Sequence, residues 1–181
     1  MGILSSLLLF GAGRKAPMAT CPREAYAGLV IELAEFRCGH TVLGAPISRD
    51  DFFAKELATQ DMFQDEACGV EVGTRQNNLE YIYLAVEKFP GTFTFQGETI
   101  AIGTQTTIEE IVSRFGEPYW RDVDKANDEI ILFYENGTAE IQFEFPGMKR
   151  LGIITVMTDP LMADSEQRKA YGVTKPWPPP R

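Results

Sequence analysis

The feature that most constrains the fold is a pair of predicted strands joined by a tight turn. The stretches EIILFYE (129–135) and TAEIQFEF (138–145) flank Asn136–Gly137, a dipeptide typical of β-hairpins. Because strand side chains alternate between faces, the second stretch has one apolar and one polar face. The polar face carries Glu140, Gln142 and Glu144. This pattern predicts an antiparallel sheet with one buried and one solvated face.

A short helix is predicted just before these strands, within TTIEEIVSRFGEP (106–118). A threonine at 106 or 107 can cap its start, with a glutamate three residues later as capping-box partner. Gly116 and Pro118 provide its end. Its apolar residues fall at i, i+3, i+4 and i+7, which places them on one face. They are Ile108, Ile111, Val112 and Phe115.

The first half of the chain resembles the second. TVLGAPISRDDFF (41–53) aligns without a gap with IAIGTQTTIEEIV (100–112), so that Gly44 meets Gly103. Either a tandem duplication or a chance likeness between two capped helices would produce this match, and we expect the duplication. The predicted fold class is therefore α+β, with two tandem helix-plus-antiparallel-sheet units that form one sheet with the helices on one face.

In the first unit we expect a strand within 26–36 and a helix that begins near Ser48. Two further strands, 69–72 and 79–86, would be joined across Asn77–Asn78.

These features divide the chain into four parts. Residues 1–22 form an apolar N-terminal segment, 23–89 the first α+β repeat, 90–160 the second, and 161–181 the C-terminal tail. The tail begins as a loop or short helix and ends in TKPWPPPR (174–181), an extended stretch that Trp177 can anchor. The apolar stretch near the start is too short to span a bilayer. We expect it to pack on the body or on a partner, and attachment to a membrane surface is the alternative.

The cysteines and the net charge bear on the compartment and the ligand class. The three cysteines are odd in number and contain no C-x-x-C pair, which argues against a disulfide framework and predicts a cytoplasmic location. The net charge of -9 argues against nucleic acid and against an anionic membrane surface. It would attract a basic protein partner, and solubility alone is the alternative reason for it.

The candidate catalytic and metal residues form no specific motif. Cys38 and His40 could be a nucleophile and its base, but no hydrolase motif flanks them. A zinc site would need Cys68 to converge on this pair. The acidic stretch 122–129 has Ala126 where a calcium loop needs a ligand, and it lacks the glycine of that loop. We therefore expect no metal, no cofactor and no catalytic residue.

The candidate binding residues lie after the helix and on the polar strand face. An aromatic pair at 119 and 120 either caps the core or anchors a partner. The acidic residues that follow are either a solvated loop or, with the polar strand face, one continuous negative surface. The predicted partner-binding residues are Tyr119, Trp120, Asp122, Asp124, Asp128, Glu140, Gln142 and Glu144.

IGTQTTIEEIVSRFGEP (102–118) resembles a pattern in beta-lactamase inhibitor proteins and in the small lipoproteins of the outer-membrane barrel-assembly machine. The resemblance covers mainly 91–157 and weakly 28–86, and the inhibitor proteins carry two such units in tandem. The lipoproteins have a lipidated cysteine after a signal peptide, and we expect neither here. GEPYWRDVDKANDEIILFYENGTAEIQFEF (116–145) is similar to uncharacterised bacterial proteins found beside secreted toxins.

These resemblances imply a bacterial immunity protein that neutralises a cognate toxin by occluding its active site. Such a protein acts by binding alone and is not an enzyme. The first alternative is an envelope- or membrane-associated assembly module. The second is a small hydrolase that uses Cys38 and His40.

Overall fold

The structure is a computed structural model that describes residues 21–177, so most of the predicted N-terminal segment and the last four residues lie outside it. The described chain is α+β, as predicted. Its strands are β1 (Val30–Glu32), β2 (Arg37–Cys38), β3 (Thr41–Val42), β4 (Met62–Asp65), β5 (Val70–Arg75), β6 (Asn78–Ala85), β7 (Thr92–Phe95), β8 (Glu98–Ile100), β9 (Trp120–Asp124), β10 (Glu129–Glu135), β11 (Ala139–Pro146) and β12 (Ile153–Thr158). Its α-helices are α1 (Ala54–Leu57), α2 (Ile108–Phe115) and α3 (Ser165–Ala170). No helix in this range is long and apolar enough to cross a membrane.

The strands form two sheets, so the prediction of one sheet was wrong. The larger sheet is antiparallel, with seven strands in the order β4-β5-β6-β12-β11-β10-β9. The smaller sheet has five strands in the order β3-β2-β1-β7-β8, in which β1 and β7 are parallel. The sheets are separate because β1, at the start of the first unit, pairs with β7, at the start of the second, and not with the longer strands.

The two halves of the chain have the same order of elements. Each starts with short strands of the smaller sheet, continues with one helix, and ends with antiparallel strands of the larger sheet. The last strands of the halves, β6 and β12, pair at the centre of that sheet. A common origin of the halves stays a prediction.

Helix α2 begins and ends as predicted. The Thr107 hydroxyl accepts the Glu110 N–H (3.3 Å), and the Glu110 carboxylate accepts the Thr107 N–H (2.8 Å), which completes a capping box. Gly116 ends the helix at a φ of 81°, a conformation that favours glycine. The aromatic ring of Phe115 lies 5.0 Å from that of Phe143, so the helix packs on the larger sheet.

The first predicted helix starts later than expected, at Ala54 instead of near Ser48. The reason is the Asp51 carboxylate, which accepts hydrogen bonds from the Thr41 hydroxyl and from the Phe52 N–H (2.6 Å) and so holds the preceding residues in turns. The strand expected within 26–36 shortens to β1, because a 3₁₀ turn, Arg23–Tyr26, takes its start.

The predicted hairpin of the second half is present, and the loop after Glu135 joins β10 to β11. A further hairpin at Gln96–Gly97 joins β7 to β8. In the first half the turn between β5 and β6 lies at Gln76–Asn77, one residue before the predicted position, where both residues have positive φ.

We expect Thr107→Ala to lower the free energy of unfolding by about 1 kcal/mol, because Ala cannot accept the Glu110 N–H at the helix start. Urea unfolding followed by far-UV circular dichroism measures this change. Gln105→Ala is the matched control, since Gln105 is exposed and precedes the cap. Equal stability losses in both variants would contradict the role of the cap.

The main core lies between the two sheets and also receives the apolar side of α2. The opposite face of the larger sheet has a smaller cluster of its own. We call this opposite face the outer face, and we call residues 160–177, which cover one end of it, the strap. The fully buried members of the outer cluster are Tyr119, Phe133 and Met162. Its partly buried members are Trp120, Ile131, Leu161, Tyr171, Val173 and Trp177.

Candidate functional site

The outer face is acidic across the width of the larger sheet. Because side chains alternate along a strand, the pairing register shows which residues share this face. Its carboxyl groups are Glu71 on β5, Glu129 and Glu135 on β10, Glu140 and Glu144 on β11, and Asp122 and Asp124 on β9. Among the described strand positions that the register places on this face, none carries a basic side chain. Arg75 follows the bulge near the end of β5 and is opposite Asn78. Arg75 forms ion pairs with Glu80 and with Asp159 (2.7 Å).

The polar side of β11 is not the fully solvated ladder that the sequence predicts, because the strap covers part of it. Glu140 is 0% exposed. Its carboxylate accepts hydrogen bonds from the Gln142 amide and from the Met162 N–H of the strap (3.4 Å). Alternation along a strand shows which residues share a face, but it does not show what covers that face.

Two carboxyl groups face each other beneath the strap. Glu135 on β10 and Glu140 on β11 are directly opposite in the register. Both Glu135 oxygens are buried, and no N–H or O–H group of the described residues donates to them. Burial and the adjacent Glu140 carboxyl raise the pKa of Glu135 well above its usual range. A neutral Glu135 can donate its proton to Glu140, whereas two opposed carboxylates would repel each other.

A second acidic group lies at the centre of the outer face. Burial, followed by the charge of Glu129, raises the pKa of Glu144 to about 7, although the Thr155 hydroxyl donates to it (3.3 Å). Burial and the neighbouring aspartates raise the pKa of Glu129, and burial raises that of Asp122. These carboxyl groups therefore hold their protons more tightly than exposed ones, because burial and the neighbouring negative charges both disfavour the ionised form.

Two tyrosines lie beside this central group. Tyr83 on β6 shares the outer face, and burial together with Glu144 and Glu71 raises its pKa to about 12. Burial raises the pKa of Tyr171 in the strap, and the charges of Asp122, Glu140, Glu144 and Glu129 raise it further. An acidic, partly buried surface lined with tyrosines is suited to a cationic group, which gains both charge and ring contacts there.

The predicted aromatic pair holds the strap. Tyr119 is buried, and its hydroxyl donates to the carbonyl oxygens of Lys175 and Pro176 (3.2 Å each). The Lys175 ammonium donates in return to the Tyr119 carbonyl (2.7 Å), and the Trp177 ring lies 5.6 Å from the Tyr119 ring. The predicted anchoring of the tail by Trp177 is therefore confirmed. Trp120 is half-buried in the same cluster, and its indole N–H is buried without an acceptor in the described chain.

Asp124 and Asp128 lie at the edge of the candidate site. The Asp124 carboxylate accepts the N–H groups of Ala126 (2.9 Å) and Asn127 (3.2 Å) and so closes the loop between β9 and β10. The Asn127 side-chain amide also donates to Asp124 (2.7 Å) and contributes most to lowering its pKa, and the two backbone bonds lower it further. Asp128 is exposed in that loop, with a φ of 54°. The other predicted residues that share the outer face are Trp120, Asp122, Glu140, Gln142 and Glu144.

Several residues of this face were not predicted from the sequence. Glu129, Glu135 and Ile131 lie on β10, where the run IILFY is apolar on both faces. Such a run is typical of a strand that is covered on both faces. It is the sequence feature that could have indicated that another segment, the strap, covers the outer face. Glu71 and Tyr83 join the face only through the pairing of β5 with β6, which the sequence pattern does not place beside β11.

The proposed nucleophile and base have different environments. The Cys38 side chain is 1% exposed, and its pKa is raised by burial and by the charge of Asp51. His40 is exposed. A reactive thiol needs a lowered pKa and access to substrate, so the surroundings of Cys38 do not support the hydrolase alternative.

The other two cysteines form a disulfide, so the expectation of none was wrong. Cys21 and Cys68 are 47 residues apart, and their sulfur atoms are 2.06 Å apart. An odd number of cysteines leaves one thiol free, here Cys38, without excluding a bond between the others. The disulfide also removes Cys68 from the zinc site that was considered. Residues 21–177 contain no group of three or more His, Cys, Asp or Glu side chains placed to hold a metal ion.

The comparisons with known proteins add little to this geometry. No protein-family model matches the sequence, and no curated protein matches it. A solved structure that is similar in part is that of a DUF4309 family protein (YjgB) from Bacillus subtilis subsp. subtilis str. 168, with 15% sequence identity and a TM-score of 0.34. The match covers 55% of this chain and 64% of that protein, which is less than two thirds of its length.

Proposed function

We propose that this protein is a binding protein that neutralises a basic protein partner, as a bacterial immunity protein neutralises its toxin, by covering the active site of that partner. The acidic outer face of the larger sheet is the observation that carries this proposal. A face of one charge sign speeds encounter with a partner of the opposite sign and suppresses wrong partners. Binding alone produces the effect, and no residue of this chain has to be catalytic.

The central carboxyl groups of that face support a partner that presents a cationic side chain. Glu144, Glu129 and Asp122 are partly withdrawn from water, and burial together with the neighbouring carboxyl groups raises their pKa values. A lysine or arginine side chain of the partner would supply that cation and form charge-assisted hydrogen bonds. Each such bond contributes about 1.5–3 kcal/mol.

This arrangement also sets the pH dependence of binding. With a pKa of about 7, Glu144 is half-protonated near neutral pH and must lose its proton to bind a cation. We expect the affinity for a basic partner to rise between pH 6 and pH 8. Titration calorimetry in two buffers of different ionisation enthalpy would detect the released proton. Affinity that falls over this range would contradict the role of Glu144.

The disulfide bears on where the protein works. Disulfides persist in oxidising compartments and are rare in the cytoplasm. The Cys21–Cys68 bond therefore favours the cell envelope or the exterior over the cytoplasmic location that the sequence predicts. The same bond favours the envelope-associated assembly module as a second candidate function. Membrane fractionation of the full chain, with and without residues 1–16, tests this second candidate.

We expect the double variant Glu129→Gln, Glu144→Gln to bind its partner at least about tenfold more weakly than the wild type, because two of the charge-assisted contacts are lost. The protein to test is the one encoded directly beside this gene, titrated at low and at physiological salt. The control is Glu98→Gln, Glu109→Gln, which removes the same charge from exposed residues outside the outer face.

The two variants separate local contacts from net charge. A loss of affinity that is equal in both would indicate that only the net charge matters and would remove the outer face as the binding site. Failure of the full chain to protect cells that express the neighbouring protein would contradict the immunity function itself.

A further inference from the structure

The strap forms a separable layer on the outer face. Its buried anchor is Met162, which is 0% exposed, and its ring contacts are Tyr171 on Phe133 (5.7 Å) and Trp177 on Tyr119 (5.6 Å). This outer cluster is distinct from the main core, because the larger sheet lies between the two. A layer with so small a buried set can open while the rest of the fold stays intact.

The strap closes over the carboxyl pair Glu135–Glu140. Two hydrogen bonds reach this pair, from the Gln142 amide and from the Met162 N–H, and both end on Glu140. Because Gln142 and Met162 are uncharged, their hydrogen bonds stabilise the pair but do not neutralise its negative charge. Glu135 has no donor among the described residues.

Within residues 21–177, no cationic side chain bonds to the pair. Tyr119, just before β9, and Tyr171 of the strap lie near the pair, since the charge of Glu135 acts on Tyr119 and that of Glu140 acts on Tyr171. From β12 it faces the uncharged Met157. The guanidinium of Arg168 in the strap donates to the carbonyl oxygens of Met162 (2.7 Å) and Ala163 (2.9 Å), and the Lys175 ammonium donates to the carbonyl of Tyr119.

We propose that the strap is a proton-gated cover, closed while the Glu135–Glu140 pair shares one proton and opened when the pair loses it. On opening, the O–H bond of the Glu135 carboxyl breaks and its proton passes to water. Both carboxylates then become hydrated, which removes the cost of two opposed anions beneath an apolar layer. Opening also exposes Phe133 and Trp120, so the gate controls access to the aromatic end of the outer face. This inference does not depend on the identity of any partner.

The direction of the pH dependence follows from the closed state. Closing raises the pKa of Glu135 above the value it has when the strap is open. The bound proton therefore stabilises the closed strap fully at a pH below the ordinary pKa of glutamate. This stabilisation is lost as the pH rises through the raised pKa of Glu135. Between these two pKa values the equilibrium constant for closing the strap falls by up to about tenfold per pH unit, which is the maximum when one proton is released on opening.

Hydrogen–deuterium exchange of the full chain tests the gate. The relevant amides are those of Met162, Tyr171 and Val173, which donate within the strap or to the pair. We expect their protection, corrected for intrinsic exchange, to fall by up to about 100-fold between pH 6 and pH 8, since two pH units each contribute up to about tenfold. The amides of β11 should keep their protection over the same range.

Glu135→Gln is the decisive variant, because glutamine keeps the shape and can donate to Glu140 at any pH. We expect the protection of its strap to be independent of pH between 6 and 8. Glu98→Gln, an exposed control on β8, should behave like the wild type. Strap protection that is constant with pH in the wild type, or that falls equally in Glu135→Gln, would overturn the proposal.

Discussion

Replacement of Cys21 and Cys68 by alanine lowers the free energy of unfolding by about 4 kcal/mol, the value expected for a disulfide that closes a loop of this length. The bond joins residues 47 apart, so its loss restores much conformational freedom to the unfolded chain. We expect the start of the described chain to separate first. There the Tyr26 hydroxyl donates to the Asp65 carboxylate (2.9 Å), and β5 begins just after Cys68.

Urea unfolding of the wild type with and without a reducing agent measures this effect on an unchanged sequence. Cys38→Ala is the matched control, because Cys38 is buried and free and closes no loop. Its cost should come only from a small cavity and should be insensitive to the reducing agent. A wild type whose unfolding midpoint is the same under both conditions would rule out the bond as a source of stability.

The disulfide also connects the fold to the functional proposal. A chain that depends on this bond is stable outside the cytoplasm and weakened inside it. An envelope location would bring the acidic outer face to partners that enter from outside the cell. The prediction of a cytoplasmic protein relied on counting cysteines, and a count does not show which residues the fold brings together.

The sequence predicts well what is determined locally. Helix α2 follows from its capping residues, its apolar spacing and Gly116, all within a few residues of one another. The hairpins at Gln96–Gly97 and after Glu135 follow from their turn residues. The first helix shows the limit of local reasoning, because Thr41, ten residues before Asp51, decides where it begins.

The arrangement of the outer face could not be predicted in the same way. Alternation in β11 correctly groups Glu140, Gln142 and Glu144 on one side. Whether that side is wet depends on the strap, which comes some twenty residues later and reaches it through Met162. The opposition of Glu135 and Glu140 required the exact length of the β10–β11 loop, which is longer than the two residues that Asn136–Gly137 predicts.

Phe133→Ala and Phe143→Ala should each destabilise the part of the fold that contains the ring by about 3–5 kcal/mol. The part of the fold that is lost should differ between the two variants. Both rings are 0% exposed, and they lie on opposite faces of the larger sheet. Phe143 packs in the main core, 5.0 Å from Phe115. We therefore expect Phe143→Ala to shift the urea midpoint of the whole chain.

Phe133→Ala should instead release the strap while most of the fold survives. The fully buried part of the outer cluster consists of Tyr119, Phe133 and Met162, so the loss of one ring leaves too little apolar contact to offset the entropy of ordering the strap. We expect strap protection to fall by at least about 100-fold in hydrogen exchange, with a smaller midpoint shift than in Phe143→Ala.

If both variants shift the midpoint equally and strap protection follows global unfolding, the strap is part of the main cooperative unit and cannot act as a gate. If the strap opens alone, the variant also holds the carboxyl pair in water at every pH, and the pH dependence of its protection should disappear.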